Sequence, residues 1–240
     1  MKIFRKSTLG ILGLLLSFSL IAQPSYLKSS RRSGNNVEVI TQTGKWIFSP
    51  YDHQVIKATF TPAGSTMNEQ VSDAVIIKSI LSTPVVHNDK GSTKISWPNG
   101  SSIRLLEQNI IFSPGNDENI SLLNTIYTTD SRGFRFSLKP GEMIFGTGER
   151  SIPLNRRGYK LPLNNSPAYG YSLNAEALNF CVPFVLSNLN YAIFFDNPSK
   201  GFLDIGKTNP DVLEYTVGSG ELSFYVIPGK HTEEILENYH

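Results

Sequence analysis

Between Val37 and Ile227, apolar residues recur at every second position in short runs, and a turn-forming cluster closes each run. VEVITQ (37–42), KWIFSPY (45–51), HQVIKATFTP (53–62), AVIIKSI (74–80), TKISW (93–97), SIRLLEQ (102–108) and NIIFSP (109–114) come first. ISLLNTIYT (120–128), FRFSLK (134–139) and EMIFG (142–146) continue the pattern, which resumes in NFCVPFVLS (179–187), YAIFFD (191–196), GFLDIG (201–206), VLEYTV (212–217) and ELSFYVI (221–227). A period of two puts alternate side chains on opposite faces of a pleated strand, so each run reads as a strand with a buried face. The breakers between them hold Gly, Pro, Asn and Asp, which supply positive φ or a fixed turn. Trp97-Pro98-Asn99-Gly100, set between two alternating runs, reads as a hairpin. More than a dozen such strands predict an all-β fold, a large antiparallel β-sandwich over residues 37–230, with a sub-boundary expected near 114–119.

A helical period enters only at the end. His231-Thr232-Glu233-Glu234 reads as a cap with an acidic first turn, and Ile235, Leu236 and Tyr239 then share one face. Residues 231–240 are therefore expected to begin a linking helix that runs on into further chain.

Residues 1–22 have the form of an export signal: Lys2, Arg5 and Lys6, an apolar core from Leu9 to Ile21, then Ala22. That core is shorter than the roughly 20 residues a membrane-spanning helix needs. The protein is accordingly expected to be secreted or periplasmic, with no membrane association beyond export. QPSYLKSSRRSGNN (23–36) reads as a flexible lead-in. The whole chain carries 22 Lys+Arg and 20 Asp+Glu, and three of the basic residues lie in the leader, which leaves 19 against 20. So even a balance is no footprint for nucleic acid or an anionic membrane. Cys181 is the one cysteine, so an intrachain disulfide is excluded even in an oxidising compartment; within NFCVPFVL it reads as a small buried hydrophobe.

Phe145–Tyr171, FGTGERSIPLNRRGYKLPLNNSPAYGY, has neither period. Disordered segments avoid aromatics, and this one holds Phe145, Tyr159, Tyr169 and Tyr171, so it reads as an ordered loop. GTGER, LNRRGYKLPL and NNSPAYGY, followed in order by PFVLS (183–187), YAIFFDNPSKGFLDIG (191–206) and ELSFYVIPGKHTEEILENY (221–239), resemble the N-terminal domain of glycoside hydrolase family 31, the α-glucosidase and α-xylosidase family. The resemblance covers residues 140–240 most closely. It implies a galactose-mutarotase-like β-sandwich that precedes a (β/α)8 barrel holding the catalytic carboxylates, and an oligosaccharide substrate. The chain stops short of such a barrel, so the resemblance places no catalytic residue within it and makes the downstream barrel its partner.

Glycoside hydrolysis needs two facing carboxyl groups, roughly 5–10 Å apart. Glu149, Asp196 and Asp204 are the candidates, and each reads better as structure. Glu149 lies among Arg150, Arg156 and Arg157, which would hold it ionised; Arg156 and Arg157 would brace the loop against it, and both aspartates sit at strand ends where Asp closes turns. The loop Leu163–Tyr171 has the stronger claim. The resemblance implies that it folds over the barrel mouth, with an Asp touching the sugar where this chain has Pro167. Asn164, Asn165 and Tyr169 are the expected substrate-binding residues, since amides and aromatic faces suit sugars. His53, His87, His231 and His240 show no ligand spacing, so neither a metal nor another cofactor is expected.

Two functions follow from this. The first is the supporting domain of an exported glycosidase acting on α-linked glucosides or xylosides, or of a 4-α-glucosyltransferase, and inactive by itself. The second is a stand-alone exported carbohydrate-binding module.

Overall fold

The computed structural model describes residues 27–66, 74–76, 80, 82–115, 118–166 and 170–240. The expected leader, residues 1–22, lies outside them, as do Pro167, Ala168 and Tyr169. Among the described residues there are seventeen strands: β1 Leu27–Ser33, β2 Asn36–Thr41, β3 Gly44–Pro50, β4 Ile56–Pro62, β5 Val85–Asp89, β6 Ser92–Ser96, β7 Ser102–Leu106, β8 Ile110–Ser113, β9 Ile120–Tyr127, β10 Arg132–Ser137, β11 Ile144–Gly146, β12 Tyr159–Leu163, β13 Phe184–Ser187, β14 Tyr191–Phe195, β15 Gly201–Ile205, β16 Val212–Val217 and β17 Leu222–Pro228. One helix follows, α1, Thr232–Tyr239. The fold is all-β, as the alternation predicts.

The strands form two antiparallel sheets. The first runs β1-β2-β3-β4-β17-β14-β13-β11, the second β12-β15-β16-β10-β9-β8-β7-β6-β5. Trp97–Gly100 makes the expected hairpin: β6 pairs with β7 through Ile95↔Ile103, and Gly100 takes φ 92°. β8 and β9 pair through Phe112↔Ile120, so strands from both sides of the expected sub-boundary share the second sheet.

Aromatic side chains from the two inner faces fill the space between the sheets. Phe224 of β17 is fully buried, with its ring centroid 4.8 Å from Phe134, 5.1 Å from Phe136 and 5.4 Å from Phe112, all three from the opposite sheet and all near edge-to-face. Tyr215 stacks on Phe195 across the same gap at 4.1 Å. Each such side chain contributes roughly 1.5–3 kcal/mol through burial, and favourable ring geometry adds about 0.5–1.5 kcal/mol per pair.

β14 and β17 are buried at every position, which explains why YAIFF and LSFYVIP read as continuous apolar runs. Tyr191, Ile193, Phe195, Leu222, Phe224 and Val226 face the sandwich core. Ala192, Phe194, Tyr225 and Ile227 face outward and join a second apolar cluster closed by Ile235 of α1. The ring of Tyr239 rests 4.5 Å from that of Phe184. The helix begins where its sequence places it: His231 Nδ1 accepts from the Glu234 N–H, and Glu234 Oε2 accepts from the Lys230 N–H, a reciprocal cap.

The structure departs from the sequence expectations at five places. Leu27–Ser33, inside the expected flexible lead-in, is a strand that pairs with β2. It is an edge strand, and a strand paired on one side needs no apolar alternation. Tyr159–Leu163, inside the expected irregular loop, is β12 at an edge of the second sheet, where Pro162 is tolerated. The expected strand 179–187 shortens to β13, because Asn179–Pro183 follow the loop instead of a strand. Residues 53–54 leave strand geometry for a short 3-10 turn, Asp52–Gln54, with His53 and Gln54 both at positive φ. Of the expected strand 74–80, residues 77–79 lie outside the described residues, and 74–76 and 80 are not in a strand.

Candidate functional site

The segment from β11 to β13 crosses one end of the sandwich with few strand partners, so its backbone carbonyls need donors from elsewhere. Arg150 and Arg156 supply several of them, and Arg157 ties the segment to carbonyls on either side of it. Arg150, 8% exposed, donates from Nε to the Thr147 carbonyl and hydroxyl at 3.0 Å each, from Nη2 to the Pro162 carbonyl at 2.9 Å, and from Nη1 to the Glu176 carbonyl. Arg156 donates to the carbonyls of Gly146, Ile152 and Pro153. Arg157 bonds those of Lys139, Glu142 and Pro210 at 2.7–2.9 Å. Burial holds the Arg150 and Arg156 guanidiniums below their ordinary value; for Arg150, Cys181 and Glu176 oppose that shift while Arg156 adds to it.

This arrangement corrects the expected bracing of Arg156 and Arg157 against Glu149. The guanidinium forks are spent on carbonyls, while Glu149 Oε2 accepts from the Asn179 side-chain amide at 3.0 Å and from its backbone N–H at 3.3 Å. Five-donor forks suit an irregular backbone better than they suit one carboxylate. Gly148, at φ 86°, lets the two arms of the segment touch: a Cβ there would lie 2.7 Å from Cys181 Cα.

The carboxylates fall where turns and packing need them. Asp204, 4% exposed, accepts from the Lys207 and Thr208 backbone N–H groups at 2.9 and 3.1 Å and from the Thr208 hydroxyl at 2.5 Å, closing the turn after β15 as expected. Asp196 follows β14 and is tied to β17 by two bonds between its backbone and Ser223. The sequence did not single out Glu142, which is 2% exposed. It accepts from the Lys139 N–H at 2.7 Å, the Ser187 hydroxyl at 2.6 Å and the Tyr191 hydroxyl at 2.5 Å. Burial first, and this carboxylate second, push the Tyr191 hydroxyl well above its ordinary value.

Two of the three expected binding residues share a pocket. Asn164 and Asn165 follow β12, and both are exposed. With Leu163 at the end of β12, Cys181 and Pro183 before β13, and Asn197, Pro198, Ser199 and Lys200 between β14 and β15, they line a cavity of about 300 Å³. That volume is at the small end for ligand clefts, about 300–1,000 Å³. Asn165 Oδ1 accepts from the Cys181 N–H at 2.6 Å, which fixes the amide with its NH2 as the group left for a ligand. Tyr169, the third expected residue, lies outside the described residues.

The turn Asn197–Lys200 is the part of this pocket that sequence reasoning missed, although Asn-Pro after a strand marked a turn. Asn197 fixes it. Its Oδ1 accepts from the Ser199 N–H at 2.7 Å, and its NH2 donates to the Ser219 and Glu221 carbonyls at 2.9 and 2.8 Å. Among the described residues no group of three His, Cys, Asp or Glu side chains is placed to hold a metal, and no helix is long and apolar enough to cross a membrane.

Known proteins share both this sequence and this fold. An α-glucosidase of Saccharolobus solfataricus is 30% identical over 106 residues, which is 43% of this chain and 15% of that protein. An α-xylosidase of Emericella nidulans is 28% identical over 102 residues, 42% of this chain and 13% of that protein. The chain thus spans about one seventh of the length of these relatives. Among solved structures, a family 31 dextranase of Flavobacterium johnsoniae determined with isomaltotriose superposes with a TM-score of 0.79 at 24% identity, over 89% of this chain and 27% of that one. A family 31 α-xylosidase from a soil metagenome, determined with xylose, gives 0.70 at 16% identity over 88% and 34%. The glycosyl hydrolase 31 N-terminal galactose mutarotase-like domain matches residues 22–204. With that match covering most of the sandwich, the chain belongs to the N-terminal galactose mutarotase-like domain family of glycosyl hydrolase 31.

Proposed function

We propose that this chain is the N-terminal, non-catalytic part of an exported glycosidase acting on α-linked glucosides or xylosides. In this account the sandwich supports a downstream (β/α)8 barrel, and the loop after β12 joins the barrel's substrate site. The observation that carries the account is the pocket in which Asn164 and Asn165 meet the Asn197–Lys200 turn. It is small, its described lining sets Asn164, Asn165, Asn197, Ser199 and Lys200 beside Leu163, Cys181, Pro183 and Pro198, and part of it lies on the segment that the buried Arg150 and Arg156 hold in place. Relatives and structural neighbours described as α-glucosidase, α-xylosidase and dextranase support the substrate class. The signal-like residues 1–22 support export to the periplasm or beyond.

The test uses the polypeptide as its native host exports it, assayed on p-nitrophenyl α-D-glucoside and α-D-xyloside. It hydrolyses at least one of them, and Asn164→Ala with Asn165→Ala raises KM about tenfold with little change in kcat, as lost positioning contacts do. An unchanged KM removes the loop from the substrate site. Transfer to an added glucoside in place of release to water identifies a glucosyltransferase.

A further inference from the structure

The charge of the pocket after β12 is one-sided. Among the described residues that line it, Lys200 is the only charged one, and none is a carboxylate. By sequence, Leu163–Tyr171, LNNSPAYGY, contains no Asp, Glu, Lys or Arg. Lys200 is exposed and forms no ion pair among the described residues.

The hydrogen-bonding groups lean the same way. The Asn165 carbonyl oxygen accepts from the Cys181 N–H, which orients its NH2 donor away from that bond. Asn197 is spent on both sides, and the Ser199 hydroxyl pairs with that of Ser219 at 2.9 Å. Lys200 Nζ and Asn165 Nδ2 are the donors left at the described lining, with the Asn164 amide, which both donates and accepts, beside them. A neutral sugar can use the Asn164 amide on both its sides, but only an anionic group also gains from the Lys200 charge. Donors grouped around a cation match an acceptor-only ligand group.

We propose that this pocket selects a saccharide carrying an anionic substituent, carboxylate or sulfate, held by Lys200 Nζ and Asn165 Nδ2. The inference rests on the pocket being a saccharide site, and it names the class of saccharide. An exposed ion pair contributes modestly and is screened by salt, so the preference over the neutral sugar is about fivefold at low ionic strength.

The experiment is a titration of the ¹⁵N-labelled chain followed by amide shifts, with three probes: methyl α-D-glucoside, methyl α-D-glucuronide and methyl α-D-glucoside 6-sulfate. Amides of Asn164, Asn165 and Lys200 move with one or both anionic probes at about fivefold lower concentration than with the glucoside. Lys200→Gln abolishes that advantage, as does high salt, and the stronger of the two anionic probes identifies the group selected. Equal or tighter binding of the neutral glucoside overturns the anionic preference and leaves the saccharide site standing. Shifts by none of the three overturn both.

Discussion

Asn165 Oδ1 accepts a 2.6 Å hydrogen bond from the backbone N–H of Cys181, sixteen residues along the chain. That bond ties the loop after β12 to the irregular arm before β13, so the pocket lining and the support beneath it are one unit. Asn165→Ala leaves the Cys181 N–H to solvent and costs about 0.5–1.5 kcal/mol of stability. Asn165→Asp keeps an acceptor and restores that stability but adds a negative charge beside Lys200, so any affinity for anionic sugars falls. Urea unfolding and sugar titration of both variants separate these two effects.

Arg150→Lys loosens the loop without unfolding the sandwich. A single ammonium cannot replace a fork that reaches the carbonyls of Thr147, Glu176 and Pro162. Amide exchange at Thr147, Glu149 and Val182, whose N–H groups bond Phe184, Phe180 and Thr147, speeds up at least about tenfold if the loss is about 1.4 kcal/mol or more. Exchange at Phe134, in the centre of the second sheet, stays as it was. Equal acceleration at both places contradicts a local role for Arg150.

Tyr191→Phe removes one of the three donors to the buried Glu142 carboxylate and costs about 1–3 kcal/mol at pH 8. Burial also raises the Tyr191, Tyr215, Tyr225 and Tyr239 hydroxyls above their ordinary value. Groups raised in the folded state hold their protons more tightly there. Their stabilisation is complete below the unfolded value of about 10 and is lost as pH rises through the raised values. Unfolding free energy therefore falls above about pH 10. The Tyr191→Phe variant loses less between pH 8 and 11 than the wild type, measured by urea midpoints at both pH values. Equal losses remove Tyr191 from the alkaline transition.

Phe224→Ala empties the centre of the aromatic core, where Phe112, Phe134 and Phe136 converge from the opposite sheet. It lowers stability by about 3–5 kcal/mol, read as a drop in the urea midpoint at unchanged m-value.

Much of the fold was legible because strands with one buried face must alternate, as in Ile56–Pro62 and Val212–Val217. β1 and β12 were not legible, for a shared reason: each lies at a sheet edge, where a polar LKSSRRS or a Pro162 is tolerated. Asn164 and Asn165, expected from the amides clustered in the loop, both line the pocket after β12. Lys200 could not be named from sequence, since 35 residues separate it from Asn165 and only the pairing Leu163↔Gly201 brings them to one end of the sandwich. The role of the arginines was misjudged because sequence shows which charges are near one another, and not which carbonyls lack donors.

The central claim is that this chain helps to recognise a saccharide but holds no hydrolytic pair of its own. The most direct measurement is turnover of p-nitrophenyl α-D-glucoside and α-D-xyloside by the purified chain, prepared from a host lacking its own α-glucosidases. The account predicts no release of p-nitrophenol above the blank, with the fold intact by circular dichroism. Turnover that persists through purification and disappears with Glu149→Gln, Asp196→Asn or Asp204→Asn would contradict it and return catalysis to the sandwich.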